Sequence, residues 1–181
     1  IKVVQKLSAS TVQYLEEGGK VLLSLGKGKV APEMGGDVGV GFSSIFWNTA
    51  WTGGQKPHTL GILCNPEHPA LNQFPTEYHS NWQWWHLVKN CRPIILDDAP
   101  ADYKPMIQTI DNFARNHKLG MIFETRYGEG SLLICAIDLL NLQDKPEARQ
   151  LYYSILKYME SEKFSPDEEL GGEILSKIIP G

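Results

Sequence analysis

Residues 20–25, Lys-Val-Leu-Leu-Ser-Leu, form an apolar run closed by Gly18-Gly19 on one side and Gly26 on the other. A strand with one wet face alternates apolar and polar residues, so a short run without that alternation reads as a strand buried on both faces. Just upstream, Ser10 followed three residues later by Gln13 has the pattern of a capping box. Gly18-Gly19 supplies the stop, and together they predict a short helix. A helix feeding a doubly buried strand is the arrangement of a parallel sheet with helices on its faces.

The rest of the chain extends that pattern. Gly26 to Gly41 holds six glycines and Pro32 without periodicity, and reads as a loop. Apolar runs at Phe42 to Trp47, Thr59 to Cys64 and Pro93 to Leu96 predict strands, the first two separated by the turn-rich Thr52 to Pro57. Met106, Ile107, Ile110, Phe113 and Ala114 fall on one helical face, which predicts a helix over Tyr103 to Lys118 behind an Asp102 cap. Gly120 to Tyr127 and Ser131 to Asp138 predict strands joined through Gly128-Glu129-Gly130 in a type II′ hairpin. A last helix is predicted from Pro146 to Glu160 with Asp144 as its cap, followed by a polar tail that frays or packs weakly.

The fold these elements predict is a three-layer α/β sandwich, with a mostly parallel sheet and an antiparallel hairpin at one side. The expected division is an α/β domain over residues 1–164 and a tail over 165–181. Ligands of such sheets sit beyond the carboxyl ends of the strands, which directs attention to the loops after Leu25, Trp47, Cys64 and Asp98.

Composition removes several functions. The chain has 181 residues, too short for a barrel of about 250. At 42% hydrophobic and 21% charged it has the composition of a chain with a real core. A net charge of −4 without a Lys/Arg cluster gives no footprint for nucleic acid. No run approaches the roughly 18 apolar residues of a membrane helix, and the N-terminus lacks a signal peptide's apolar core, so the expectation is a soluble chain without a membrane partner. Opening on Ile1 rather than Met, it reads as a piece of a longer protein.

The segment from Trp47 to His86 contains all five tryptophans, Trp47, Trp51, Trp82, Trp84 and Trp85, and four of the five histidines. Tryptophan faces stack on sugar rings while Asn, Glu and His bond hydroxyls, so Trp47, Trp51, Glu77, His79, Asn81, Trp82, Trp84 and Trp85 are the candidates for a glycan site. The same residues also suit a packed loop or a face that docks on another domain. His79 and His86 are seven apart, too far to share an ion on a helix, and Cys64, Cys91 and Cys135 form no paired-ligand spacing, so no metal is expected. The cysteines read as buried thiols. Cys64 ends a predicted strand, where a nucleophile elbow would put a reactive thiolate, but Ile62 and Pro66 stand where an elbow needs small residues. Asp97-Asp98 reads as a turn. G-x-G-x-x-G does not form after Gly26-Lys27-Gly28, and no cofactor is expected.

Phe42-Ser43-Ser44-Ile45-Phe46-Trp47-Asn48, His58 to Cys64, and Phe74-Pro75-Thr76-Glu77-Tyr78-His79-Ser80-Asn81-Trp82-Gln83-Trp84-Trp85 resemble the C-terminal region of bacterial glycoside hydrolase family 2 proteins of β-galactosidase-like, sugar-binding type. The resemblance implies a class I glutamine amidotransferase-like, flavodoxin-like domain appended to the domains that hydrolyse. The helix before Lys20, the His68-Pro69 step and Gly128-Glu129-Gly130 are similar to that superfold as well. The amidotransferase elbow is missing, Ala70 stands after His68-Pro69, and the family 2 Asn-Glu pair is absent, so no catalytic residue carries over.

What the resemblance implies is a non-catalytic accessory domain, partnered by the catalytic domains of a glycosidase and possible oligosaccharide, in a periplasmic or secreted parent. Two other readings stay open: a hydrolase or amidotransferase using Cys64 with His68 or His79, and an oligomerisation domain that forms a homo-oligomer.

Overall fold

A computed structural model describes residues 1–42, 51, 53, 54 and 58–178. In chain order it contains β1 (Lys2–Val4), α1 (Ala9–Glu16), β2 (Lys20–Ser24), β3 (Gly61–Cys64), α2 (Trp85–Lys89), β4 (Ile94–Ile95), β5 (Ile107–Ile110), β6 (Lys118–Tyr127), β7 (Gly130–Cys135), α3 (Pro146–Glu160) and α4 (Gly172–Ile178). One α/β sheet runs in the order β1-β2-β7-β6-β5-β3, with β4 beside β6. The predicted strand from Phe42 to Trp47 lies, beyond Phe42, outside the described residues.

The doubly buried reading of residues 20–25 holds. Val21, Leu22 and Leu23 are at most 1% exposed, as are Leu132 to Cys135 of β7 and Leu119, Met121, Ile122 and Phe123 of β6. Consecutive residues point to opposite faces, so burial of the whole run requires cover on both sides of the central strands. Part of that cover is α1, which packs on β2 and β7.

The sheet is mixed rather than mostly parallel. β1–β2 and β2–β7 are parallel, while β6–β7, β5–β6, β3–β5 and β4–β6 are antiparallel. The hairpin expected at one side lies at the centre, because the outer edge of β7 accepts β2. Its two-residue turn has Gly128 at φ 58°, the left-handed region that a type II′ turn requires at its first position. A Cβ on the adjoining Gly130 would lie 2.3 Å from the Leu15 carbonyl oxygen, so this glycine admits the close approach of α1.

The helix predicted over Tyr103 to Lys118 is absent. Pro105 disfavours helical geometry at Lys104, and Ile107 to Ile110 instead alternate buried and half-buried as β5. Asn112 then turns the chain by accepting from the amides of Ala114 and Arg115 through Oδ1. The apolar spacing was coincidental with a helix, and Phe113, assigned to its inner face, is 66% exposed. Smaller shifts are local: Ser8 rather than Ser10 caps α1, accepting from the Thr11 amide, and α3 begins with Lys145 as its cap and Pro146 as its first residue, not with an Asp144 cap.

Within the described residues, to 178, the tail does not fray. The Arg126 amide donates to the Glu168 carbonyl at 2.8 Å and the Leu170 amide to Thr125 Oγ1 at 2.8 Å, so residues 168–170 run beside β6 where β5 has ended. Leu170, Leu175 and Ile178 are buried in the same core as the sheet, and the Ala31 amide donates to the Ile178 carbonyl. The boundary expected at 164 is therefore not a boundary of the core. Leu170→Ala should cost about 3 kcal/mol in urea unfolding, the ordinary cost of truncating a buried leucine; a loss below about 0.5 kcal/mol would show a loosely held tail.

Candidate functional site

Asn81 opens a single 3₁₀ turn, Trp82–Trp84, by accepting from the Gln83 amide through Oδ1, and the chain continues directly into α2. Helical phase then sorts the tryptophans. Trp84, with Leu87 and Val88, turns into the core; Trp84 is fully buried, packs edge-on to Phe74 at 5.1 Å, and donates from Nε1 to Thr76 Oγ1 at 2.8 Å. Trp82 and Trp85, three positions apart, turn outward and are 84% and 40% exposed. Their ring centroids are 5.9 Å apart with planes tilted by 55°, and Phe42 stacks on Trp85 at 6.1 Å.

Phe42, Ser80, Asn81, Trp82 and Trp85 line a cavity of about 340 Å³. The hydroxyl of Ser80 and Nδ2 of Asn81 have no hydrogen-bond partner among the described residues. The site thus offers aromatic faces with two free polar groups beside them. It can hold a flat or ring-shaped apolar surface that carries hydroxyls.

Of the sequence-predicted residues, the structure brings together Asn81, Trp82 and Trp85. Trp84 is corrected from a surface candidate to a core residue. Glu77 and His79 are exposed nearby without lining the cavity; the His79 ring pairs with the Ser80 carbonyl at 3.2 Å, and its backbone bridges to Leu63. Trp51 is exposed and lies outside the cavity wall, and Trp47 falls outside the described residues. Ser80 and Phe42 were not singled out from sequence as site residues, and no pattern marks them.

Cys64 lies at the end of β3, an edge strand antiparallel to its neighbour, which is not the strand-to-helix setting of a nucleophile elbow. Burial pushes its thiol up to about 12 despite a hydrogen bond with Thr76. It is a neutral thiol at physiological pH, and His68 is engaged elsewhere.

A second cavity, of about 300 Å³, went unseen in the sequence. Glu124 of β6 lines it, and both of its carboxylate oxygens accept from the Tyr158 hydroxyl, at 2.8 and 3.0 Å. The Tyr103 hydroxyl donates to the Glu124 carbonyl at 2.6 Å. His68 meets the Tyr158 ring edge-on at 5.2 Å, and its Nδ1 accepts from the Ala70 amide, which leaves the proton on Nε2. Burial lowers the His68 pKa, so the ring is neutral. Burial, aided by the charge of Asp167, raises that of Glu124 above the ordinary glutamate value, the Tyr158 bond opposing. The available signal was one glutamate directly after the apolar run from Gly120 to Phe123.

Compared with known families, residues 2–180 match the one described as Domain of unknown function (DUF8487). No curated protein matches the chain.

The two tryptophan environments predict opposite mutational outcomes. Trp84→Ala should cost about 3–5 kcal/mol in chemical denaturation, whereas Trp82→Ala should change stability by less than about 0.5 kcal/mol. The raised Glu124 pKa predicts a pH slope. Between the ordinary glutamate value and the raised one the native state binds more protons than the unfolded chain, so stability falls as pH rises, then levels off. Subtracting the unfolding free energy of Glu124→Gln from that of the wild type at each pH should isolate this fall; a flat difference would mean that Glu124 ionises as it does in the unfolded chain.

Proposed function

The chain belongs to the DUF8487 family, and for it we propose a non-catalytic accessory role in a glycoside hydrolase of family 2, β-galactosidase-like type, in which the Phe42/Trp82/Trp85 cavity binds a sugar ring of the glycan. The observation that carries the reading is the outward placement of Trp82 and Trp85 beside Ser80 Oγ and Asn81 Nδ2, which have no hydrogen-bond partner among the described residues. A pyranose has one apolar face of C–H groups and a rim of hydroxyls, which is the complement of this arrangement. The resemblance of the segments at 42–48, 58–64 and 74–85 to family 2 proteins supports the same reading. So does the neutral, buried state of Cys64, which favours binding over thiol catalysis.

The finer fold we propose is the class I glutamine amidotransferase-like, flavodoxin-like sandwich. Its support is the β1-α1-β2 crossover with β7 parallel to β2, a βαβ unit at one side of the sheet. The partners in this reading are the catalytic domains and an oligosaccharide, and the parent is periplasmic or secreted. A docking role for the same face is the second reading. It is favoured by the exposure of Tyr78 and Leu63, large side chains on two segments joined by the Leu63–His79 bridge, which line no part of the cavity.

Tryptophan fluorescence separates the two. Titration with a panel of oligosaccharides should give a saturable change for at least one glycan, lost or weakened about tenfold in Trp82→Ala, which is about 1.4 kcal/mol of stacking. A response confined to the catalytic remainder of the parent protein would replace glycan binding by docking.

A further inference from the structure

We propose that the outer edge of β1, with the cleft at its carboxyl end, is a docking site for an extended acidic peptide, which adds to the sheet as a further strand. β1 ends the sheet: β2 pairs with one of its edges, and among the described residues no backbone hydrogen bond reaches the other. The opposite end of the sheet is closed by the chain itself. There the Cys64 amide of β3 donates to the Tyr78 carbonyl at 2.9 Å, and Leu63 bridges to His79. Residues 168–170 likewise complete the edge of β6. An uncapped edge offers backbone donors and acceptors at strand spacing, which is what a strand from another chain pairs with. β1 is held firmly enough to act as the template, since Val3 and Val4 are half-buried and pack against the core.

Charge specifies the partner. The whole chain has a net charge of −4, yet residues 1–15 and 21–32 hold Lys2, Lys6, Lys27 and Lys29 and no Asp or Glu. The fold brings two of these lysines to the end of β1. A cleft of about 800 Å³ opens there, walled in part by Val3, Val4, Lys6, Ser8, Lys29 and Leu140, with no carboxyl side chain in its wall. Asp138, two residues before Leu140, is not part of the wall, and its carboxylate accepts from Asn141 Nδ2 at 2.9 and 3.1 Å. Glu16 and Glu17 lie at the far end of α1, beside the β6–β7 turn, where a Cβ on Gly128 would be 3.1 Å from Glu16 Cα. A segment added along β1 therefore runs into a cleft where its acidic residues meet Lys6 and Lys29, and its apolar ones meet Val3, Val4 and Leu140.

The same lysines disfavour a second copy of this chain on this edge. Two β1 strands paired antiparallel about Val4 would set Lys2 of each copy opposite Lys6 of the other, and like charges directly opposite destabilise a sheet. An acidic segment turns that repulsion into attraction. No residue lines both this cleft and the aromatic cavity, so the two sites are separable by mutation.

The test is a fluorescence-polarisation titration of a labelled, acetylated octapeptide of alternating valine and glutamate with the full chain, at neutral pH and fixed ionic strength. Two control peptides are titrated beside it: one with lysine in place of glutamate, and one N-methylated throughout, which keeps the charge but removes the backbone donors. Saturable binding of the glutamate peptide is expected, with both controls weaker by about tenfold or more. The double variant Lys6→Glu/Lys29→Glu, at two exposed positions, should weaken the glutamate peptide about tenfold, and Trp82→Ala should leave it unchanged. The proposal is overturned by an absence of saturable binding, by equal binding of either control peptide, by wild-type affinity in the double lysine variant, or by a dimer in sedimentation that competes with the peptide, which would give the edge to a second copy.

Discussion

Strand β6 is the constraint on which the rest of the structure depends. It is the longest strand among the described residues, and its two edges are taken by β7 and β4 on one side and β5 on the other. A bulge sets Ile107 opposite Ile122 but Gln108 opposite Gly120, leaving Met121 as the extra residue on β6. Because backbone donors and acceptors buried this deeply must be paired, each neighbour is fixed in register by β6. Through β7 come β2, β1 and α1; through β5 comes β3. Where β5 stops, residues 168–170 complete the edge. The tail is thus held by the same unmet hydrogen-bonding demand that holds the strands.

Both cavities follow from that scaffold in different ways. The aromatic cavity is a matter of local helical phase. One turn capped by Asn81 sends Trp84 into the core and leaves Trp82 and Trp85 outside, so the energy of the anchor and the exposure of its neighbours are set by the same short stretch. The Glu124 cavity is long-range. It needs the loop after β3 for Asn65 and His68, the chain before β5 for Asp102 and Lys104, α3 for Tyr158, and the C-terminal segment for Asp167 and Glu168. Its carboxylate sits where β6 outruns β5, a position available because the edge there is completed by a less regular segment.

Much was legible where local pattern and burial agree. The runs that became β2, β6 and β7, the Gly128 turn and the helix from Pro146 to Glu160 were readable because each is stabilised by short-range propensity and by the core together. The helix expected from Tyr103 to Lys118 failed because five apolar residues at helical spacing are compatible with a strand and an Asn turn once β6 offers an edge to pair with. At the candidate site, residue type announced the tryptophans but not which of them face water. That depends on where the turn starts, and Asn81 rather than any tryptophan decides it.

The sequence by itself determined that this is an α/β chain with doubly buried strands, since uniformly apolar short runs have no other stable home, and it marked the segment in which aromatic side chains gather. Only the tertiary structure decided that the sheet is mixed with its hairpin at the centre, that Trp84 belongs to the core, and that Glu124 shares a cavity with His68 and Asp167. Those three outcomes rest on pairings between residues tens of positions apart, whose free energy arises from edge hydrogen bonds and shared burial. No local pattern in the chain encodes that free energy.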